Sequence, residues 1–117
     1  MPLYDLAFIR RYVRALIRQQ DISCEPGDCA EACHALSKLI PDARVVQGHV
    51  YYTNHIMKHV WLIWRHHVID PTMLQFRLEM NAKTVPVLGV WETRQACPFD
   101  IIYVVDICHN IIAQTFE

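Results

Sequence analysis

The sequence predicts a single α+β domain over residues 1–117, in which a mainly antiparallel sheet packs on a central helix that begins at Cys29. Two stretches with apolar residues at helical spacing, 3–20 and 29–40, come first in the chain. Stretches rich in β-branched and aromatic residues follow at 43–52, 58–64 and 68–70, with short turn-forming segments between them. Helices segregated from closely spaced strands are typical of this fold class.

The composition favours one packed domain and argues against several classes of protein. The 117 residues are 53% hydrophobic and 20% charged, which is enough for one core and unlike a disordered chain. The net charge of −1 provides no general basic field for nucleic acid. The sequence shows no secretory signal and no apolar run long enough to cross a bilayer. We therefore expect a cytoplasmic protein whose five cysteines are reduced thiols.

The two predicted helices differ in character. The first is amphipathic, and its polar side carries a stripe of arginines: Arg10, Arg11, Arg14 and Arg18. Such a stripe is typical of a solvated helix face, although an acidic partner or a phosphate could also meet it. The second helix is apolar or small around most of its circumference, so we expect it to be central and largely buried. Asp28 is its expected N-cap, and Pro41 cannot continue it.

The predicted strands form hairpins. A turn at Thr53-Asn54 separates the first two strands, and residues 65–67 form the tip before a return strand at 68–70 that Pro71 ends. The remaining chain is less regular. Residues 73–80 suit a loop or one helical turn, and residues 85–91, which contain Pro86, suit an edge strand. Residues 101–116 keep a helical period with Asp100 as cap, although Ile-Ile-Tyr-Val-Val would also suit a strand.

A possible thiol nucleophile stands at the start of the second helix. A free cysteine has a pKa of about 8.5 and is mostly protonated at neutral pH, so a reactive cysteine needs surroundings that stabilise its thiolate. The unpaired N–H groups and the dipole of a helix N-terminus do so, and a nearby imidazolium does so more strongly. Cys29 occupies this position, and the same N–H groups can face an oxyanion.

His59 and Asp70 are expected to be neighbours on one face of the hairpin. In an antiparallel pair with an even number of loop residues, the numbers of facing positions add up to an odd sum. The sum of 59 and 70 is odd, so both side chains project from the same face within side-chain reach. Asp70 can then accept a hydrogen bond from one imidazole nitrogen of His59 while the other nitrogen points to Cys29.

The motifs around these residues resemble the transglutaminase-like cysteine enzymes, which are distant relatives of the papain-like peptidases. The chain reads Gly27-Asp28-Cys29, His59-Val60-Trp61 and Asp70-Pro71-Thr72, where that family shows Gly-x-Cys at the central helix, His-x-Trp in a strand and Asp-Pro-Thr after the next strand. Residues 43–48 also look like the family's strand after the nucleophile helix. The resemblance covers about the middle 50 residues of the chain.

The resemblance implies hydrolysis or transfer of an amide acyl group through a thioester. Cys29 would be the nucleophile, His59 the general base and acid, and Asp70 the group that orients the imidazole, with a peptide, protein or other amide as substrate and no cofactor or metal. Ala30 stands where transglutaminases carry an aromatic residue, which argues against a calcium-dependent crosslinking enzyme. Gln19 or Gln20 would be an oxyanion donor by analogy with papain-like enzymes.

Other interpretations of the same residues stay open. Cys29 could be a buried packing residue, and Cys33, one turn further along the helix, is a competing nucleophile. Metal binding is a second possibility, with ligands from His55 and His59 or from the His66-His67 pair. A third is a binding module that keeps the fold without catalysis and uses either the arginine stripe or three aromatic residues expected to be exposed: Tyr51, Tyr52 and Trp91.

Overall fold

The computed structural model describes residues 5–76 and 85–106. The chain forms helices α1 (Leu6–Gln19) and α2 (Cys29–Leu39), followed by strands β1 (Arg44–Tyr52), β2 (His55–Trp64), β3 (His67–Asp70), β4 (Gly89–Glu92) and β5 (Ile101–Val105). The strands make one five-stranded sheet in the order β4-β3-β2-β1-β5, and each neighbouring pair is antiparallel. The predicted α+β class with an antiparallel sheet is confirmed.

The sheet separates two apolar clusters. On one side, α1 and α2 pack on alternate residues of β2, so that Leu62 and Trp64 join a cluster with Ile9 and Leu36. On the other side, Trp61, which directly precedes Leu62, joins a largely aromatic cluster with the following members: Phe76, Trp91, Ile101 and Tyr103. Since side chains alternate along a strand, His59 belongs to the aromatic side of the sheet.

Both predicted helices form, but the expectation that α2 is largely buried is wrong, because only three of its 11 residues are buried. Asp5 caps α1 by accepting a hydrogen bond of 2.8 Å from the backbone N–H of Phe8, while Ile9 and Val13 are fully buried against the sheet. The helix α2 buries Cys33 and Leu36, and it ends directly before Ile40 and Pro41. Within the described residues, no helix has both the length and the apolar character needed to cross a membrane.

The predicted helix over residues 101–116 is wrong at its start, where residues 101–105 form strand β5. Asp100 has a φ of 54° and precedes a strand, so it caps no helix. The pairing of β5 with β1 explains the difference, because it buries Ile101 while leaving Ile102 62% exposed. This alternation has the period of a strand, and tertiary pairing overrides the local helical period. Residues 107–116 of the prediction lie outside the described residues.

Other boundaries shift by a few residues. β2 begins at His55 rather than at Lys58, and residues 74–76 are helical, while 77–80 of that segment lie outside the described residues. The predicted edge strand exists as β4, but it starts at Gly89, so Pro86 precedes it. Because Trp64 pairs with His67, the loop between β2 and β3 contains only two residues, and His67 belongs to the strand.

This two-residue loop carries backbone strain. Arg65 and His66 have φ values of 53° and 63°, the left-handed geometry that a type I′ turn requires and that glycine adopts most easily. The backbone carbonyl of His66 accepts a hydrogen bond from the Thr93 N–H, which ties the loop to the chain after β4. The loop therefore holds the hairpin register at the cost of two strained residues.

We predict that His66→Gly raises the free energy of unfolding by about 0.5–1 kcal/mol, because relief of left-handed strain exceeds the entropy cost of glycine. Urea denaturation measures the change. Asn54→Gly at the tip of the β1–β2 hairpin is the control, since Asn54 is not at positive φ and gains nothing from glycine. An unchanged or lower stability of His66→Gly would contradict this account of the turn.

Candidate active site

Cys29 is the first residue of α2, and the turn before it sets its position. Gly27 has a φ of 97°, a conformation that side-chain-bearing residues rarely adopt, and it leads the chain into the helix. Asp28 is the N-cap residue, as predicted, but its side chain makes no capping hydrogen bond and its carboxylate instead accepts a hydrogen bond from the Ser23 hydroxyl. The carboxylate therefore does not cover the N–H groups at the start of α2.

Because β3 is short, part of the β2 backbone is left unpaired by β3 and is available to α2. β3 pairs with β2 only from Leu62 to Trp64, so the backbone of Val60 lies beyond the last pair. The first turns of α2 take this place: the Cys33 thiol lies 3.5 Å from the Val60 carbonyl oxygen, and the Val60 N–H is near enough to Cys29 to help lower the pKa of its thiol. The nucleophile candidate thereby reaches β2 beside His59.

His59 and Asp70 form a buried pair, as their same-face positions predict. His59 Nε2 lies 2.7 Å from Asp70 Oδ2, and both side chains are fully buried. Since Nε2 is bound to the carboxylate, Nδ1 is the nitrogen left for other partners, and the Cys29 thiol and the Gln75 amide compete for it. The structure therefore brings the three predicted residues together from α2, β2 and the end of β3.

Asp70 is held by four donors. Its Oδ1 atom accepts from the backbone N–H of Thr72 at 3.1 Å and from the Thr72 hydroxyl at 3.3 Å, a local turn that accounts for the Asp-Pro-Thr sequence. Its Oδ2 atom accepts from His59 and from the Tyr103 hydroxyl at 2.5 Å. A carboxylate that is fully buried requires such partners, and together they fix its orientation toward the imidazole.

Aromatic rings and one amide enclose the imidazole. The ring of Phe76 packs edge-on against His59 with centroids 5.0 Å apart, and Trp61 and Tyr103 each lie 6.1 Å away. The buried Gln75 places its amide nitrogen 3.1 Å from His59 Nδ1. That N–H can donate to neutral Nδ1, whereas a protonated Nδ1 would require the amide oxygen instead. The Gln75 amide can therefore hydrogen-bond Nδ1 in either protonation state of the ring, with its N–H group or with its oxygen.

The pKa values of Cys29 and His59 shift in opposite directions. A hydrogen bond with His59, the charge of that ring and the N–H groups of Val60 and Ala30 lower the pKa of the Cys29 thiol against the opposing effect of burial. Burial acts to lower the pKa of His59, but the charge and hydrogen bond of Asp70, together with Cys29, raise it to about 9. These shifts favour a thiolate beside an imidazolium.

The other described cysteines have the opposite character. Burial raises the pKa of Cys33 strongly and, with neighbouring carboxylates, raises the pKa of Cys24 to about 11. Burial also raises the pKa of Cys97 to about 11. Cys33 has no exposed surface, so the geometry argues against it as the competing nucleophile.

Sequence reasoning missed two residues of the site. The helical period of residues 101–116 predicts a helix at Tyr103, although the run of β-branched residues around it is a strand signal. Gln75 follows the Asp-Pro-Thr motif by three positions, and no spacing rule singles it out. Gln19 and Gln20, the predicted oxyanion donors, are instead exposed at the end of α1.

The alternative interpretations fare differently. Among the described residues, no group of three or more His, Cys, Asp or Glu side chains is placed to hold a metal ion. His55 is exposed and hydrogen-bonds the Thr53 hydroxyl. The predicted exposure of Tyr52 and Trp91 is wrong, since both are buried, whereas Tyr51 is 40% exposed.

We predict that alkylation of Cys29 by iodoacetamide proceeds at pH values below those at which Cys24, Cys33 and Cys97 react, because its pKa is lowered and theirs are raised. In His59→Ala the reaction of Cys29 should move to higher pH, since the main stabilising partner of the thiolate is lost. Mass spectrometry of digests taken across a pH series measures every cysteine in one experiment. Equal profiles for Cys29 in the two proteins would contradict the pairing.

We predict that Tyr103→Phe lowers the free energy of unfolding by about 1.5–3 kcal/mol, because it removes a hydrogen bond to a buried carboxylate. Tyr51→Phe on the exposed surface of β1 is the matched control and should change stability by less than about 0.5 kcal/mol. Chemical denaturation compares the two variants. Equal effects would show that the Tyr103 hydroxyl does not support Asp70.

Comparisons with known proteins leave this geometry to be interpreted by itself: a scan against family models, a search of curated proteins and a search of solved structures each give no match.

Proposed function

We propose that this protein is a cysteine-dependent amide hydrolase or acyltransferase that uses Cys29, His59 and Asp70 on a transglutaminase-like, papain-like core. The observation that carries the proposal is the buried His59–Asp70 pair, whose imidazole lies close enough to the Cys29 thiol at the N-terminus of α2 to lower the pKa of that thiol. A packing cysteine would not need a buried carboxylate behind its histidine neighbour. The motifs that flank the three residues support the same assignment.

In the acylation step, the Cys29 thiolate attacks the carbonyl carbon of an amide and forms a carbon–sulfur bond. The carbonyl oxygen becomes an oxyanion, which N–H groups at the start of α2 would stabilise. Collapse of this intermediate breaks the carbon–nitrogen bond, and the proton on His59 Nδ1 passes to the departing amine. A thioester on Cys29 and a neutral imidazole remain.

In the deacylation step, His59 removes a proton from water or from an acceptor amine as that molecule attacks the thioester carbonyl. The carbon–sulfur bond breaks, the acyl group leaves as an acid or a new amide, and the Cys29 thiolate beside the imidazolium is restored. Throughout both steps, Asp70 accepts a hydrogen bond from the N–H group at Nε2 of His59. This bond fixes the tautomer of the ring, so that Nδ1 is the atom that gains and loses the proton. The substrate would be a peptide, a protein side chain or another amide.

The proposal is tested with p-nitrophenyl acetate, an activated acyl donor that releases p-nitrophenol when Cys29 is acetylated. We predict a burst of p-nitrophenol with acetyl transfer to Cys29, followed by slower turnover by water. Cys29→Ser should abolish the burst. Asp70→Asn should slow acylation by about 10³–10⁴-fold, because an amide at this position favours the wrong tautomer of His59.

Cys33→Ser is the matched control, since it alters a buried thiol one turn away on the same helix and should leave the burst intact. Circular dichroism of every variant separates loss of chemistry from loss of folding. Acetylation at another cysteine, or an unchanged burst in His59→Ala, would refute the proposed roles.

A further inference from the structure

A groove lies beside the candidate active site and has no part in the proposed chemistry. It encloses about 420 Å³ between α1, which contributes Arg14, Ile17 and Arg18, and residues 86–88, which precede β4. Cys24 and Pro71 also line it. Pro71 directly follows Asp70 in the chain, so the groove adjoins the end of the strand that carries the carboxylate. A volume of this size suits a small ligand or a few residues of a peptide.

The groove combines a basic wall with an apolar one. Arg14 and Arg18 are exposed, and within residues 5–76 and 85–106 neither guanidinium forms an ion pair or a side-chain hydrogen bond. The lining contains no Asp or Glu, and its other members are largely apolar. The two guanidinium groups have no carboxylate partner in the groove, and they lie beside an apolar surface. This combination fits a ligand that carries both negative charges and apolar side chains.

The spacing of the two arginines matches an extended chain. Residues four apart on a helix are separated by about 6 Å along its axis. Alternate side chains of an extended peptide point to the same side and are separated by about 6.7 Å. A peptide with carboxylates at alternate positions can therefore meet both guanidinium groups, while the side chains between them point away from α1 toward residues 86–88.

The charge around Cys24 indicates where the carboxylates would sit. Burial and the nearby carboxylates of Asp28, Asp70 and Glu25 raise the pKa of Cys24 to about 11, so its thiol stays neutral. The same carboxylates disfavour an anion at this end of the groove. The negative groups of a ligand would therefore lie along Arg14 and Arg18, with Cys24 acting as a small apolar contact.

We propose that the groove between α1 and residues 86–88 binds an extended acidic peptide in which carboxylate and apolar side chains alternate, with Arg14 and Arg18 as the carboxylate-binding residues. Such a peptide would be the part of an amide substrate next to the reacting bond, a use that rests on the proposed function. Binding itself does not depend on catalysis and can be measured separately.

The test uses fluorescence anisotropy with a rhodamine-labelled peptide of alternating glutamate and leucine, and the same peptide with glutamine in place of glutamate. The protein carries Cys29→Ser, so no turnover interferes. We predict that R14Q/R18Q weakens binding of the acidic peptide about tenfold, while R10Q/R11Q changes it by less than about twofold. The two double variants have the same net charge, and Arg10 and Arg11 do not line the groove.

Four results would overturn the proposal: no binding of the acidic peptide, equal binding of the glutamine peptide, equal losses in the two double variants, or binding to phosphatidylserine vesicles in place of the peptide. Equal losses would mean that α1 attracts anions through its overall charge. Alkylation of Cys29 in the wild-type chain tests the catalytic assignment without the groove, so failure of one claim can be told from failure of the other.

Discussion

The buried hydrogen bond between His59 Nε2 and Asp70 Oδ2 is the interaction on which the rest of the site depends. A carboxylate with no exposed surface is tolerated only when its oxygens are satisfied, and loss of one partner of such a pair costs about 3–5 kcal/mol. Thr72 and Tyr103 supply the remaining donors, so Asp70 has little freedom to turn. The orientation of the imidazole, and with it the environment of Cys29, follows from this arrangement.

The register of the sheet positions the side chains of the site. The loop at Arg65 and His66 sets the β2–β3 register that places His59 and Asp70 on one face, and a slip by one residue would move Asp70 to the other face. The early end of β3 exposes the Val60 backbone, which lets α2 bring Cys29 to the histidine. The strained turn therefore determines that His59 and Asp70 share a face, and the short strand determines that Cys29 can reach His59.

Local patterns predicted the parts of the chain in which one periodicity dominates. The spacing of Ile9 and Val13 predicted α1, and the odd sum of 59 and 70 predicted that His59 and Asp70 share a face for any loop with an even number of residues. Residues 101–105 carry apolar side chains that suit either period, and only their pairing with β1 decides between helix and strand. Because Tyr103 and Gln75 reach the site through such long-range packing, no local spacing could identify them.

The central claim is that His59, beside both Asp70 and Cys29, is an imidazolium at neutral pH. Imidazole ¹⁵N NMR across a pH titration measures it most directly, because both ring nitrogens of an imidazolium carry protons. We expect His59 to stay charged at pH 7 and to lose its proton near pH 9, and to titrate at lower pH in Cys29→Ser, where the thiolate no longer raises the pKa of the ring. A neutral ring at pH 7, or the same titration in both proteins, would contradict the account.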